Sequence, residues 1–357
     1  MINKPEWILH QPQTNPFLNF EFLNALMQSG SVKTETGWTP AFTRNDSGIL
    51  MSFIKTHSYG EYIFDWGWAE AFEKYGIPYY PKLTSLLPFT PVTTQHFLMK
   101  SFDENLADAL LKAHDDFFMK NDFSSTHFLF LTNAEIPLFQ KNNYLIRESI
   151  QYHFFNPGYK SFEDFLSKLK SKKAKHIRTE RSYDNLSIKR YTGDELTKEH
   201  ADRMYQFYIS TIVNKNSFDY LNAEFFELIF KNLSKNILYV EASQNNFPIA
   251  GSLFFYDSEK LYGRYWGSTS YVENLHFELC YYQGIDFCIE NSIAVFEAGA
   301  QGEHKIARGF RPVRTYSAHK IKHPAFQNAI AEFIETEKVH VEQSILKLSE
   351  HLPFKNI

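Results

Sequence analysis

Laid over itself with an offset of 166 residues, the sequence presents one order of elements twice. THFLFL at 126 lies over SIAVFE at 292, Tyr144 over Phe310 and His153 over His319. Each half reads as helices, a hairpin, a strand, a helix, a strand, a short helix and a strand. Shared order constrains the fold more than the low identity between the halves, because strands alternating with helices bury a sheet face under those helices. The expectation is an α/β fold with mixed sheets, built as two tandem domains over residues 1–155 and 156–323. Residues 324–357 then form a C-terminal helix packing back on the body.

Local patterns fill in that order. Phe20, Leu23 and Met27 recur at helical spacing. WTPAFT and ILMSFIK flank a turn at Asn45-Asp46-Ser47-Gly48 and predict a hairpin. Ser101-Phe102-Asp103-Glu104 reads as a capping box opening a helix to about Lys120. In the second half, helices are expected from Ser161, over 197–212, 223–233 and 274–290. ILYVEAS, IAGSLFFY and KLYGRYWGS read as strands. A long helix is expected from Pro324 to about Leu348, proline being favoured in a first turn.

Composition excludes several classes. The 357 residues include 35 Phe, 21 Tyr and 5 Trp, too much apolar surface for a disordered or low-complexity chain. A net charge of −4 argues against a generally basic nucleic-acid binder, and no DNA partner is expected. The two cysteines, Cys280 and Cys288, make neither a disulfide framework nor a metal pattern. His319 and His323 lie in an extended context that spoils a helical metal pair, so no metal is expected. No signal peptide and no membrane span are expected, which points to the cytoplasm. Zinc-protease, nucleophile-elbow, Walker and dinucleotide-binding motifs are all missing from the sequence.

Three segments remain. Lys168 to Arg190 carries nine Lys or Arg against Glu180 and Asp184, a solvated face or a contact for phosphate. Residues 57–81 place nine aromatic side chains between Tyr59 and Tyr80, suited to sugar or acyl surfaces or to a wedge between domains. Among these rings, Glu61 or Asp65 with a raised pKa is a candidate base. The third segment is YGRYWGSTSYVENLHFELCYYQGIDF with FEAGAQGEHKIARGF. Here His276 and Cys280 share a helix face and read as a nucleophilic pair or a buried one. The helix start offers N–H groups to a phosphate or an oxyanion, and Lys305 and Arg308 follow nearby.

These segments resemble a known family. SYGEYIFDWGWAEAF, YYPKL, PFTPV, LYGRYWGS, LHFELCYYQGIDF, AGAQGEHKIARGF and the basic stretch FLSKLKSKKAKHIRTER are similar to the FemAB-like family of peptidoglycan biosynthesis or recognition, within the GNAT acyltransferase superfamily. The resemblance spans nearly the whole chain and implies two tandem GNAT-like domains. HKIARGF is similar to the Lys-x-x-Phe-Gly ending of related acyltransferases, with Lys305 in the lysine position, although Gly309 here precedes Phe310. The Arg/Gln-x-x-Gly-x-Gly/Ala loop of acetyl-CoA users is replaced by GSTSYVENLH, as in relatives that take aminoacyl-tRNA.

The resulting expectation is an N-acyltransferase that moves an acyl or aminoacyl group to an amine, with a small-molecule or cell-wall-precursor substrate. The donor is acyl-CoA or aminoacyl-tRNA, the tRNA being contacted through Lys168–Arg190. Glu278, Asp65 and His276 are the candidate catalytic residues. Arg264, Tyr80, Trp66, Gln301, Lys305 and Arg308 are the candidate substrate contacts. The alternative is a non-catalytic glycan or peptide recognition module that keeps the same fold.

Overall fold

The computed structural model describes Lys4, Trp7 and residues 15–46, 48–99, 101–215, 217–299 and 302–355. It divides into two units: Met1–Ile150 with Arg314–Ile345, and Gln151–Val313 with Leu346–Ile357.

The first stretch of chain forms α1 (Phe20–Gln28), β1 (Trp38–Pro40), β2 (Thr43–Asn45), β3 (Gly48–Leu50), β4 (Phe53–Lys55) and α2 (Trp66–Lys74). It continues through β5 (Lys82–Ser85), β6 (Phe97–Leu98), α3 (Glu104–Lys120), β7 (Ser125–Leu131) and α4 (Ile136–Lys141). β8 (Leu145–Phe155) carries the chain into the second unit. There follow α5 (Phe162–Ser167), α6 (Ser171–Glu180), β9 (Leu186–Thr192), α7 (Lys198–Asn214), α8 (Ala223–Asn232), β10 (Ile237–Gln244), β11 (Phe247–Tyr256) and β12 (Lys260–Ser268). A helical run of α9 (Leu275–Phe277), a π turn (Glu278–Tyr282) and α10 (Gln283–Glu290) leads to β13 (Val295–Glu297). A 3₁₀ helix (Glu303–Arg308), β14 (Arg311–Ile321) and α11 (Pro324–Glu350) complete the chain.

In unit 1 the main sheet runs β1-β4-β5-β7-β14, and β2-β3-β6 form a smaller one. The expected hairpin exists, but its ladder splits between sheets: Trp38–Pro40 pair with Phe53–Lys55, while Thr43–Asn45 pair with Gly48–Leu50. α3 is capped by the Asp103 carboxylate, which accepts from the N–H groups of Asn105 and Leu106. The cap is therefore Asp103 and not the expected Ser101, because its oxygen reaches two orphan donors at once. Ala107, Leu110 and Leu111 of α3 pack on Phe128, Leu131 and Ala318, the buried face of the sheet. The first turns of α11 set Ile330 and Ile334 against Trp68, Phe72 and Tyr79.

In unit 2 the order is β8-β13-β12-β11-β10-β9. β12 and β13 are parallel, with Tyr262 opposite Glu297, and the helical run joins them. β13 ends at Glu297, but β12 continues to Ser268, so the two strands stop sharing a ladder there. α7 crosses β12 so closely that a Cβ on Gly267 would sit 1.6 Å from the Phe207 carbonyl oxygen. Each unit thus contains a strand, a helix and a parallel strand: β5-α3-β7 in one, β12 to β13 in the other. Each sheet is then extended by a strand from the other half of the sequence. β14 pairs with β7, and the end of β8 pairs with β13.

Candidate functional site

The candidate residues fall into two constellations, one in each unit. Asp65, Trp66 and Tyr80 belong to unit 1; His276, Glu278, Arg264, Lys305 and Arg308 belong to unit 2. Gln301 lies outside the described residues.

The unit 2 constellation is built around the helical run that follows β12. Its π turn widens the helix at Glu278–Tyr282, a geometry frequent at functional positions. Tyr281 packs on the His276 ring with centroids 5.3 Å apart, and Trp266 approaches that ring at 5.1 Å. His276 helps wall a cavity of about 570 Å³ whose other walls come from α7, the end of β12 and the segment Thr269–Leu275. Burial, and then the neighbouring His304, Lys215, Lys305 and Arg308, lower the His276 pKa to about 4. The imidazole is therefore neutral at physiological pH and stands in a positive field. The thiol of Cys280 is pushed up by burial and stays protonated, which does not favour the nucleophilic pair.

Glu278 is 2% exposed and faces the opposite way. Arg181 donates to its two oxygens at 3.0 and 2.9 Å, and the Gln283 amide adds a bond at 2.7 Å. The same guanidinium reaches Asp286 at 2.7 Å. Glu278 thus takes part in a closed buried network. Arg308 is also buried, its guanidinium carbon 3.3 Å from the Phe277 ring centroid and one nitrogen donating to Glu180.

Lys305 is 2% exposed, a cation held inside the unit. Its Nζ donates to the Gly299 carbonyl at 3.2 Å and lies 5.8 Å from the Tyr152 ring. Burial lowers its pKa to about 7, with Cys280 and Arg264 as smaller influences of opposite sign. Arg264 donates to its neighbour Gly263 and lies 5.6 Å from the Tyr262 ring. The helix start has fewer donors to offer than expected: the N–H groups of Leu275, Phe277 and Glu278 are spent on the carbonyls of Val272 and Asn274. The end of β12 is likewise engaged, since Thr211 donates to the Trp266 carbonyl at 2.6 Å and Ser210 accepts from the Ser268 N–H at 3.2 Å.

The unit 1 constellation lies beneath the aromatic stretch. Trp38, Lys55 and Lys82 are successive cross-strand neighbours on β1, β4 and β5. Lys82 is fully buried and donates to Ser58 at 2.7 Å, to Glu61 at 2.8 Å and to Asp65. Burial pulls its pKa down, but Asp65 and Glu61 outweigh that and keep it charged. Burial pushes Asp65 up, and Lys82 more than reverses this, so Asp65 is ionised. Glu61, with burial dominant, rises to about 7. Lys55, whose Nζ lies 3.3 Å from the Trp38 ring centroid, falls to about 7 for the same reason. Tyr80 bonds Ser58 at 2.8 Å, and the exposed Trp66 leans on Tyr59 at 5.1 Å. Tyr79 donates to Asp65 at 2.6 Å and meets His127, which pairs with His319 at 2.7 Å.

Sequence reasoning missed Lys82, Lys55 and Glu297. Lys55 and Glu297 each end an otherwise apolar strand, and that is the signal that would have found them, whereas Lys82 opens a strand with Thr84 and Ser85 and offers no such contrast. Glu297 is 2% exposed and accepts from Lys260 at 2.8 Å. Among the described residues no group of three or more His, Cys, Asp or Glu is arranged to hold a metal ion, and no helix is long and apolar enough to cross a membrane.

The fold recurs in solved structures. FemX aligns at a TM-score of 0.56 with 9% identity, covering 93% of this chain and 99% of its own. The C-terminal domain of a putative lysylphosphatidylglycerol synthetase from Agrobacterium fabrum aligns at 0.55 with 9% identity, covering 93% and 94%. L-PGS from Bacillus licheniformis aligns at 0.53 with 9% identity, covering 88% and 96%. At such identities the likeness is one of fold. No curated protein sequence matches the chain significantly. The profile of the FemAB-like family, described as peptidoglycan biosynthesis/recognition, matches residues 1–356. The chain belongs to the FemAB-like family.

Proposed function

We propose that this protein is an N-acyltransferase that moves an acyl or aminoacyl group from an anionic donor to an amine, and that unit 2 holds the donor. The observation that carries the reading is the cavity after β12, with the neutral His276 imidazole in its wall and Lys215, Lys305 and Arg308 near enough to act on that imidazole, while Glu273 is among the residues lining the cavity. An anionic donor is drawn to cations so placed.

In the reaction the amine nitrogen attacks the acyl carbonyl carbon. The new C–N bond forms, the ester or thioester bond breaks, and the amine proton must leave. His276 is the acceptor that faces a cavity, and it returns the proton to the leaving oxygen or sulfur. Lys305, when protonated, offsets charge on the donor or on the tetrahedral oxygen. Glu278 acts through Arg181 as a positioning residue.

An aminoacyl ester fits better than a pantetheine thioester. The β12 edge that an amide-bearing arm would use is engaged by Ser210 and Thr211. Lys172, Lys173 and Lys175 on α6 have no ion-pair partner among the described residues, which leaves them available to a phosphate backbone. A peptidoglycan precursor is the acceptor class that the family description favours.

The test is to incubate the purified chain with aminoacyl-tRNA or acyl-CoA and amine-bearing cell-wall precursors, following the acylated amine by mass spectrometry. Product formed with wild type and lost in His276→Ala supports the reading. Tight precursor binding with no turnover from any donor would favour the recognition module instead.

A further inference from the structure

The 3₁₀ helix that carries Lys305 and Arg308 ends at Gly309, whose φ of +92° is one that glycine adopts without strain. The Gly309 N–H donates to the carbonyls of Ile306 and Lys305, and the Phe310 N–H donates to that of Lys305 at 3.3 Å. The turn therefore closes on the backbone of Lys305 itself. Two rings cover it: a Cβ on Gly309 would lie 2.9 Å from Phe165 and 3.6 Å from Phe354.

Phe354 comes from the stretch that follows α11, within unit 2. Backbone bonds fasten that stretch to the segment between α5 and α6. The Lys170 N–H donates to the Pro353 carbonyl at 2.8 Å, the Lys355 N–H donates to the Lys168 carbonyl at 2.9 Å, and Leu169 and Phe354 form an antiparallel bridge. Lys355 Nζ adds a bond to the Ser167 carbonyl at 2.7 Å. From β14, the Arg311 guanidinium carbon lies 5.0 Å from the Phe354 ring centroid. Leu348 and Leu352, by contrast, line a cavity of about 450 Å³ together with Ile306 and Ala307. The stretch stands off the helix there and bears on its end through Phe354.

We propose that Phe354 is a positioning residue for Lys305: clamped on the Gly309 turn with Phe165, it fixes the 3₁₀ helix so that the Lys305 ammonium stays inside unit 2, and it ties that helix to the start of the lysine-bearing α6. Its effect on turnover rests on the transferase reading; its effect on Lys305 does not.

The link runs through packing and backbone. Removing a ring from one wall of the turn leaves space that water or a shifted loop fills. The helix has six residues, and 3₁₀ bonds have poorer geometry than those of an α-helix, so it holds its place by what packs on it. A Lys305 that meets water regains the behaviour of an ordinary lysine, because burial is what lowers its pKa. The groups facing it are Cys280 from the π turn, Arg264 from β12 and the rings of Tyr152 and Tyr281. His153 from β8, His276 from α9 and His304 beside it also feel its charge.

The experiment is acetic anhydride labelling of the full chain across pH, with Lys305 acetylation read by mass spectrometry, beside thermal unfolding and the pH profile of acyl transfer. In wild type, Lys305 should label slowly with a midpoint near pH 7. In Phe354→Ala that midpoint should rise by at least about one pH unit, and the plateau rate above it by about tenfold. Turnover should fall by at least about tenfold with the acceptor KM unchanged. The basic limb of turnover should move up with the labelling midpoint, since Lys305 acts when protonated. Phe354→Leu, which keeps apolar bulk, should fall between the two and replaces Phe354→Ala if that variant does not fold. A folded variant whose Lys305 labels with the wild-type midpoint and rate overturns the proposal, even where its melting temperature has dropped. Lys305 unmasked in the variant, with no acyl transfer by wild type from any donor, leaves the clamp standing and counts only against the transferase reading.

Discussion

Arg181 holds Glu278 in a fork of two N–H···O bonds, 3.0 and 2.9 Å long, with Asp286 on the outer side of the same guanidinium at 2.7 Å. Breaking a buried pair leaves an uncompensated charge and costs about 3–5 kcal/mol. Glu278→Ala is expected near the lower end, because Asp286 still balances Arg181. Urea denaturation measures the loss. If Glu278 only positions the helical run, the variant assayed well below its melting temperature keeps the wild-type pH profile. A vanished acidic limb would instead make Glu278 the proton acceptor.

Individual strands and helices were legible along the chain because apolar periodicity and turn residues are local signals. KLYGRYWGS forms its strand over Lys260–Ser268 as read, and Ser125–Leu131 is buried throughout as THFLFL implied. The exchange of last strands was not legible. Nothing local says that β14 joins β7, or that His153 faces Glu297 rather than a partner nearer in sequence. The site was half legible for the same reason. Motif residues were visible, but Lys305 and Arg308 have solvated-looking surroundings in sequence and are buried by elements far along the chain.

Lys305 gives a pH signature with a definite sign. Its folded pKa is near 7, below the ordinary lysine value, so the unfolded chain binds more protons between those pH values. Stability attributable to this residue therefore rises with pH from about 7 toward about 10.4, and below that window the buried charge is fully destabilising. Lys305→Met should raise the melting temperature at neutral pH and lower acyl-transfer turnover by at least about tenfold. A variant with unchanged turnover removes Lys305 from the site.

Gly267 has no room for a side chain. Alanine there would place its Cβ 1.6 Å from the Phe207 carbonyl oxygen, and the obstacle is backbone. α7 or β12 must move, at a cost of about 1–3 kcal/mol. The shift would also disturb the bonds from Thr211 to the Trp266 carbonyl and from the Ser268 N–H to Ser210. Gly267→Ala should lower both the urea midpoint and activity. An unchanged midpoint would mean that α7 is not pinned against the strand.

The α6 lysines distinguish a nucleic-acid-linked donor from a small one. If Lys172 and Lys175 neutralise phosphates, replacing both by Ala weakens aminoacyl-tRNA binding and lowers the salt slope of log K by on the order of 0.7–0.9 per lysine. Binding of a small amine or precursor should not change. A slope equal to wild type would assign these lysines to a solvated face.

His127 and His319 meet nitrogen to nitrogen at 2.7 Å in the unit 1 sheet, and that contact requires at least one neutral ring. Burial, then Lys82, lowers His127 to about 3; burial, then His127, holds His319 well below its usual range. The folded pKa values lie under the unfolded one, so the stability these rings contribute is complete above about pH 6.5 and is lost as pH falls toward the folded values. Between those limits each ring removes about 1.4 kcal/mol per pH unit. Urea midpoints measured from neutral to mildly acidic pH should therefore fall steeply in the wild type. His319→Gln, which cannot titrate but can still bond His127, should flatten that fall by about one proton's worth of slope. An acid limb equal in both proteins would mean that the pair opens to solvent before it is protonated.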